Sequence, residues 1–424
     1  MAKTIIVYPK GNTNNTNPHV LFSGGTGSTY TIEMTTTGEL LFSQDIALSI
    51  QEVITQPIDR YIGTLEYVDY DDVMYMQYQP GGPISTTNTY IAGFSGDSTS
   101  IFNTNYYSGL TVYRVDTVFD SSGSIMFITG DNDTVAGIPE VIRRVDLSTG
   151  QVTHEFTVAS GGHIQSRLLL YEYNNTEYLA FSEISGSSYT TACITIMNPS
   201  NLSIIGRYGY VPTTNISVNY INDLQYDGVN GKLYWTMPAG GYTNDNDGTV
   251  FGDFDLSTTT VSTGSTINFA FYSQNQILDG STKIYTAGIY YQNAANNVSG
   301  LTYGYYDHST GNYTQLYWKG IDYSQGSAAD VDVYLNAHSD KDKDTGDIYQ
   351  VVQYDLLTVD GATGEIVETV DLIYSGDYYG VPGRTPNYTG ARAPVSAMGY
   401  NERQNRIWTA RYNGGHTTNI VLYG

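Results

Sequence analysis

The feature that most constrains this sequence is an internal repeat about 50 residues long. A strand-like run followed by a turn of the form Asp-x-Ser/Ala-Thr-Gly, or a close variant, recurs along the chain, and successive turn residues are 52, 57, 52 and 53 positions apart. In such a turn the Asp or Asn side chain accepts hydrogen bonds from nearby backbone N–H groups, and Gly takes the position with positive φ. The turn residues are Asp146, Asn198, Asp255, Asp307 and Asp360.

A second landmark recurs in step with these turns. It is an apolar, aromatic run preceded by a polar turn, and each repeat then contains four antiparallel strands, as in a propeller blade. The pattern predicts an all-β fold, a seven-bladed β-propeller of four-stranded blades over residues 44–424, with six or eight blades as alternatives. Tandem β-sandwiches or a β-solenoid compete, although solenoid rungs are usually much shorter. The runs begin at Val73, Ile125, Tyr178, Leu233, Ile284, Ile348 and Ile407.

The last repeat is one strand short of a blade when the chain stops at Gly424. An outer strand without a partner would leave an open edge that can template aggregation. Residues 44–56 carry alternating Ile46, Leu48 and Ile50, a pattern that suits a strand. We therefore expect this segment to supply the missing strand and close the ring.

Aromatic residues are assigned to two environments. Trp235, Trp318 and Trp408 lie in predicted strands and are expected in the blade core, as is the single cysteine, Cys193. The 41 tyrosines exceed what blade cores need, so loops 103–109 and 375–383 are expected to expose several of them. Exposed Tyr with Asn and Gly is typical of recognition and sugar-stacking surfaces.

Residues 1–43 do not match the repeat. A polar stretch, 10–19, precedes two short predicted strands around Thr-Thr-Thr-Gly-Glu, and such a strand pair cannot bury a core alone. The run Tyr-Thr-Ile-Glu-Met followed by Gly38, Leu40 and Phe42 resembles the N-terminal docking modules of tailed-bacteriophage head and tail fibres and other appendages. That resemblance implies that residues 1–43 bind other virion proteins, that several copies occupy each particle, and that the downstream domain projects outward.

Charge and leader patterns narrow the partners. A net charge of −24 repels nucleic acid and anionic membrane surfaces. The chain has no apolar run of bilayer-spanning length, and its start lacks the apolar core of a secretory signal. We expect neither nucleic-acid nor membrane binding, synthesis in the host cytoplasm, and a final location in the virion.

One loop has the residue types of a calcium site. Asp340, Asp342, Asp344 and Asp347 alternate with other residues around Gly346, and carboxylate oxygens are the ligands that Ca²⁺ prefers. The glycine falls one residue late for an EF-hand loop and two lysines are interleaved, so a solvated charged hairpin turn is the competing interpretation. The string 244–248 is a weaker candidate of the same kind. We predict no other cofactor.

Two functions remain open from sequence. The first is a bacteriophage virion structural protein, a head or tail appendage whose propeller serves assembly or host-surface glycan attachment. The second is a carbohydrate-active propeller enzyme, either a glycoside hydrolase or a lyase. No catalytic residues can be named, although the 42 acidic residues include enough carboxylates for glycoside hydrolysis. The docking-like N-terminus favours the structural role over an enzyme.

Overall fold

The computed structural model describes the chain outside a set of connecting segments. Within the described residues every regular element is a β-strand, and no helix there is long and apolar enough to cross a membrane. The segments outside the description are 1–2, 8–18, 25–28, 35–39, 46–49, 56–59, 69–71, 81–88, 96–100, 108–116, 131–139, 159–162, 165, 186–190, 211–222, 239–247, 268–269, 272–274, 279, 293–297, 322–338, 353–354, 372–394, 412–418 and 424.

The chain divides into two compact units. The first comprises Met1–Glu52 with Leu422–Gly424, and the second comprises Val53–Val421. In the first unit, β1 (Lys3–Val7) pairs antiparallel with β2 (His19–Gly24). A second antiparallel pair joins β3 (Thr29–Met34) to β4 (Leu40–Asp45), the two strands that flank residues 35–39.

Six antiparallel sheets made of consecutive strands follow, and each is a propeller blade. The first three blades are β6 (Arg60–Val68), β7 (Val73–Pro80), β8 (Thr89–Ser95) and β9 (Ile101–Tyr107); β10 (Thr117–Phe119), β11 (Ile125–Gly130), β12 (Val141–Asp146) and β13 (Gln151–Thr157); and β14 (His163–Ile164) and β15 (Leu169–Tyr173), which both pair with β16 (Thr176–Ser185), then β17 (Thr191–Asn198) and β18 (Ser203–Tyr210).

The next three blades repeat the same order. They are β19 (Asp223–Asp227), β20 (Lys232–Pro238), β21 (Thr249–Asp255) and β22 (Thr260–Ile267); β23 (Ala270–Phe271) and β24 (Gln276–Ile277), which both pair with β25 (Lys283–Gln292), then β26 (Val298–Asp307) and β27 (Asn312–Ile321); and β28 (Ser339–Lys341), β29 (Ile348–Val352), β30 (Asp355–Val359) and β31 (Ile366–Asp371).

A further four-stranded sheet combines the two ends of the chain. Its order is β32 (Val395–Asn401), β33 (Arg406–Arg411), β34 (Asn419–Tyr423) and then β5 (Ile50–Thr55). Consecutive strands therefore form six blades, not the seven predicted, because the last three strands do not complete a blade among themselves. The strand next to β34 lies within the segment 44–56 to which the sequence assigned closure.

The repeated turns have the predicted structure. Asp146 Oδ1 accepts hydrogen bonds from the backbone N–H groups of Ser148 and Thr149 at 2.9 and 3.1 Å. Gly150, at the fourth position after the Asp, has a φ of 68°. The pKa of Asp146 is lowered, first by a hydrogen bond from the hydroxyl of Ser148 and then by these backbone N–H groups. The remaining turn residues, Asn198, Asp255, Asp307 and Asp360, cap their turns in the same way.

Neighbouring blades pack face to face through apolar side chains. Phe127 and Ile142 of the second blade pack in one cluster with Phe181 and Met197 of the third, and all four are at most 1% exposed. Burial on both faces explains why the second strand of each blade reads as an apolar run. Burial of apolar area at this density supplies most of the free energy of folding.

The aromatic predictions are confirmed in part. Trp235 and Trp408 are 1% and 0% exposed, and Cys193 is buried, as predicted. Trp318 was predicted in the core but is 39% exposed, because it lies on β27, the outer strand of its blade. Residues 103–107 belong to strand β9 and not to a loop, and 375–383 lies outside the described residues.

The outer strand of each of the six blades departs from regular pairing. The register between the third and fourth strands shifts in every one, for example between Arg144 and Val145 and between Thr358 and Val359. Such shifts are β-bulges, which increase the local twist and bend the strand.

Candidate functional site

The predicted calcium loop is the hairpin turn between β28 and β29. Asp342 N donates to Asp347 O at 2.9 Å, and Gly346 N donates to Asp342 O at 2.9 Å. Gly346 has a φ of 79°, so the turn requires the conformational freedom of glycine. The four predicted aspartates are thus brought into one hairpin.

Their carboxylates point to different partners. Asp342 Oδ1 accepts from the N–H groups of Asp344 and Thr345 at 2.8 and 3.2 Å. Asp347 Oδ1 accepts from Gly361 N at 2.7 Å, which links the turn to the hairpin between β30 and β31. Asp344 is exposed.

Asp340 faces the neighbouring sheet. Its Oδ2 accepts from Tyr400 N at 2.8 Å and its Oδ1 from Lys341 N at 2.8 Å. Burial raises the pKa of the Asp340 carboxyl, and these two N–H groups oppose the rise. The hydroxyl of Tyr400 lies 3.3 Å from Asp342 Oδ2 and 3.0 Å from Asn405 Oδ1, and either oxygen can accept its hydrogen. The carboxylate of Asp340 therefore ties β32 to the sixth blade.

The same capped turn occurs in the fourth blade, where Asp227 is not followed by other acidic residues within the turn. In the fourth blade, Asp227 Oδ1 accepts from the N–H groups of Val229 and Asn230 at 3.0 and 3.2 Å, and Gly231 has a φ of 63°. Asp342 therefore has the role of a turn cap, with or without an ion. Among the residues that the structure describes, no group of three or more His, Cys, Asp or Glu side chains could hold a metal ion. Calcium binding by this loop stays a prediction, and residues 244–247 lie outside the described chain.

Buried carboxylates at the junctions between blades were not found from sequence. Asp223, 2% exposed on β19, accepts from Asn275 N of the fifth blade at 2.7 Å. Glu140, also 2% exposed, accepts from the N–H group of Ile164 in the third blade. With the partly buried Asp340, three junctions use a carboxylate to cap the backbone of the next sheet. The partner in each case comes from another repeat, so only the folded chain reveals the pair.

The third blade holds a charged cluster across three of its strands. Glu183 on β16 is 2% exposed, and its Oε1 accepts from Thr195 Oγ1 at 2.8 Å and from Arg207 Nε at 2.5 Å. Cys193 Sγ lies 3.5 Å from the same oxygen. Burial, followed by the negative charge of Glu183, raises the pKa of Cys193 to about 11, so at neutral pH it is a thiol and a poor nucleophile.

An aromatic group surrounds one histidine between the fourth and fifth blades. The ring of His308 lies 4.7 Å from that of Tyr234 and 4.8 Å from that of Tyr306, the latter edge to face. Burial lowers the pKa of His308 to about 4, opposed by the charges of Asp253 and Asp307 and assisted by that of Lys232. This histidine is therefore neutral at pH 7.

Five of the described carboxylates accept hydrogen bonds from protein donors, namely Asp340, Asp342, Asp223, Glu140 and Glu183. The arrangement suits turn capping and the joining of sheets.

Comparison with known proteins supports the fold class. No family model matches the sequence, and no curated protein matches it. Many solved structures do match, including the β-propeller domain of Cps50 (Swd1) from Myceliophteria thermophila, with a TM-score of 0.51 and 7% identity over 89% of this chain and 99% of that domain. At this identity the likeness shows the fold alone. The chain is thus an all-β propeller with four-stranded blades.

Proposed function

We propose that the chain is a bacteriophage virion structural protein, a head or tail appendage that attaches through residues 1–43 and projects its propeller for assembly or for binding a host-surface glycan. The observation that carries the proposal is the separate N-terminal unit, whose two strand pairs belong to none of the propeller sheets. Two-stranded pairs are marginal alone and need a partner surface. Residues 20–45 resemble phage docking modules, and this resemblance indicates that the partner surface belongs to another virion protein.

The described contacts favour a structural role over catalysis. Asp342 caps its turn, Asp340 joins β32 to the sixth blade, and the buried cysteine is held as a thiol. None of these contacts favours the glycoside hydrolase or lyase alternative, so no enzymatic function is proposed.

We further propose that the sheet of both chain ends, completed by β5, closes the ring. Its first strand, β32, contacts β28 of the sixth blade and β6 of the first. At Gly399 an added Cβ would lie 2.9 Å from Leu65 O and 3.0 Å from Met74 Sδ, which reflects how closely β32 and the first blade approach.

Limited proteolysis of the free and the particle-bound protein tests the proposed attachment. We expect residues 1–43 to be cut first in the free protein, while the body from residue 45 onward resists. On assembled particles the same segment should become protected, and electron microscopy with an antibody against the propeller should place it outermost. First cleavage within the propeller, or an N-terminus equally resistant in both forms, would contradict the proposal.

A further inference from the structure

In the third blade a charged residue, Glu183, stands at a position that is uncharged in the other four blades compared. Strand pairing identifies the equivalent positions of different blades. The residue just before each repeated turn pairs with one residue of the preceding strand, as Met197 pairs with Leu179 and Phe254 pairs with Leu233. Glu183 lies four residues after Leu179 on β16. The same pairing rule places uncharged residues at the equivalent positions of the second, fourth, fifth and sixth blades, namely Gly130, Met237, Gly288 and Val352.

The fold does not require a charge at this place. Met237 and Val352 fill the equivalent positions with apolar side chains, each 2% exposed. Replacing a buried ion pair with well-packed apolar residues is often neutral or stabilising, because desolvation offsets the attraction between the charges. Stability alone therefore gives little reason for Glu183 and Arg207, and a further role for the pair has to be sought in what Arg207 presents to solvent.

The pair is asymmetric in its exposure. The side chain of Glu183 is 2% exposed and that of Arg207 is 45% exposed. In the second blade the relation is reversed, since Arg143 is 18% exposed and its partner Glu155 is 43% exposed. Among the described ion pairs, Asp355 at 9% exposure likewise holds Lys319 at 32%, and the third-blade pair is the one in which a buried carboxylate holds an exposed guanidinium.

Glu183 fixes one edge of that guanidinium. Its Oε1 is bound by Arg207 Nε and also by Thr195 Oγ1, so the carboxylate is itself held in place. The two terminal nitrogens of Arg207 make no hydrogen bond or ion pair with the described residues. A guanidinium held at Nε presents these nitrogens in a fixed plane, which is the geometry for two parallel hydrogen bonds to a carboxylate, phosphate or sulfate.

We propose that Arg207 is a pre-oriented binding residue for an oxyanion group of a ligand, with Glu183 and Thr195 as its positioning residues. The ligand class is a molecule with an exposed carboxylate, phosphate or sulfate, such as an acidic saccharide. The proposal concerns the propeller alone and does not depend on the role proposed for residues 1–43.

Titration of the full-length, ¹⁵N-labelled protein with sodium acetate, phosphate or sulfate, against sodium chloride at equal ionic strength, tests the site. The Arg207 Nε–H resonance, assigned by its loss in Arg207→Lys, should shift with a dissociation constant on the order of 1 mM, as one charge-assisted pair would give. A shift of this resonance with acetate alone would identify a planar carboxylate ligand, and a shift with phosphate or sulfate would identify a tetrahedral one. Either result supports the site.

Variants separate this site from general anion effects. Calorimetry should show binding weakened at least about tenfold in Arg207→Gln and in Arg207→Lys, because neither presents the planar pair of terminal nitrogens. Arg143→Gln, which alters the reversed pair of the second blade, should bind as the wild type does. Arg207→Lys keeps a positive charge near Glu183, so it serves if Arg207→Gln fails to fold. No shift up to about 100 mM anion, far above the expected constant, or equal binding in Arg207→Lys and wild type, would overturn the proposal.

Discussion

At the scale of single residues, the repeated turns show what one φ angle requires. The fourth position after the turn residue is glycine in three repeats, Gly150, Gly311 and Gly364, with φ between 68° and 72°. In the fourth blade the position is Thr259, whose φ of 55° is unfavourable for a β-branched residue. The turn is thus formed even where its sequence is poor, because the caps and strand pairing on both sides determine it.

Substitution at Thr259 and Gly150 should shift stability in opposite directions. Thr259→Gly should raise the free energy of unfolding by about 0.5–1 kcal/mol, since it removes the side-chain clash of a left-handed conformation. Gly150→Thr should lower it by about 1–2 kcal/mol for the same reason. Urea unfolding followed by circular dichroism measures both. A destabilised Thr259→Gly would show that the threonine contributes contacts that outweigh its backbone strain.

His308 should make the stability of the propeller fall between pH 6.5 and 4. Its folded pKa is lowered to about 4, so within this window the unfolded chain binds a proton that the folded chain does not. Stability from this group is complete above pH 6.5 and decreases as pH falls, by about 3 kcal/mol at most. Wild type and His308→Phe should be compared by urea unfolding at pH 7, 6 and 5. Parallel pH profiles would rule out the histidine as the cause.

At the scale of single elements, the hairpin between β28 and β29 shows that acidic residues in series can each have a different task. Asp342 caps its own turn, Asp347 binds the neighbouring hairpin, and Asp340 binds β32. A sequence pattern gives their spacing along the chain. It cannot give the direction in which each carboxylate points, since this depends on strand pairing across the sheet and on the next blade.

The hairpin should lose stability on mutation whether or not calcium is present. Asp342→Ala removes the cap of two N–H groups, so the free energy of unfolding should fall by about 1–2 kcal/mol. Asp344→Ala, at the exposed position, is the control and should change it by less than about 0.5 kcal/mol. Equal effects of the two substitutions would contradict the assigned capping role.

Calcium binding is tested with the same variants. If the loop binds the ion, millimolar Ca²⁺ should raise the melting temperature of the wild type, because a ligand of the native state alone stabilises it, and Asp342→Ala should abolish the rise. A wild-type melting curve unchanged by Ca²⁺ would leave the loop as a hairpin turn only.

At the scale of the whole molecule, the regular spacing of the repeats made the propeller fold predictable. The second strand of each blade was also predictable, because burial on both faces gives it an apolar run. Trp318 was misassigned because its burial depends on its place in the outer strand, which an apolar pattern does not reveal. Glu140 and Asp223 were missed because each caps the backbone of a different repeat. The blade number was harder to predict because the last sheet draws on both ends of the chain.

Truncation separates the N-terminal segment from closure. Deletion of residues 1–43 should leave a protein that unfolds cooperatively, whereas deletion of 1–56 also removes β5 and exposes the edge of β34, so aggregation should follow. Size-exclusion chromatography and thermal unfolding distinguish the two products. Identical behaviour of both truncations would show that β5 does not close the ring.

The register shifts in the outer strands have a consequence for molecules displayed side by side. A straight, regularly spaced outer strand would invite the same strand of an adjacent copy to pair with it, and a dense array would polymerise into continuous sheets. The backbone N–H and C=O groups of a bulged strand do not align with those of a regular neighbouring strand. Because the shift occurs in all six blades of consecutive strands, each of their outer strands is a poor template for edge-to-edge pairing with a second molecule.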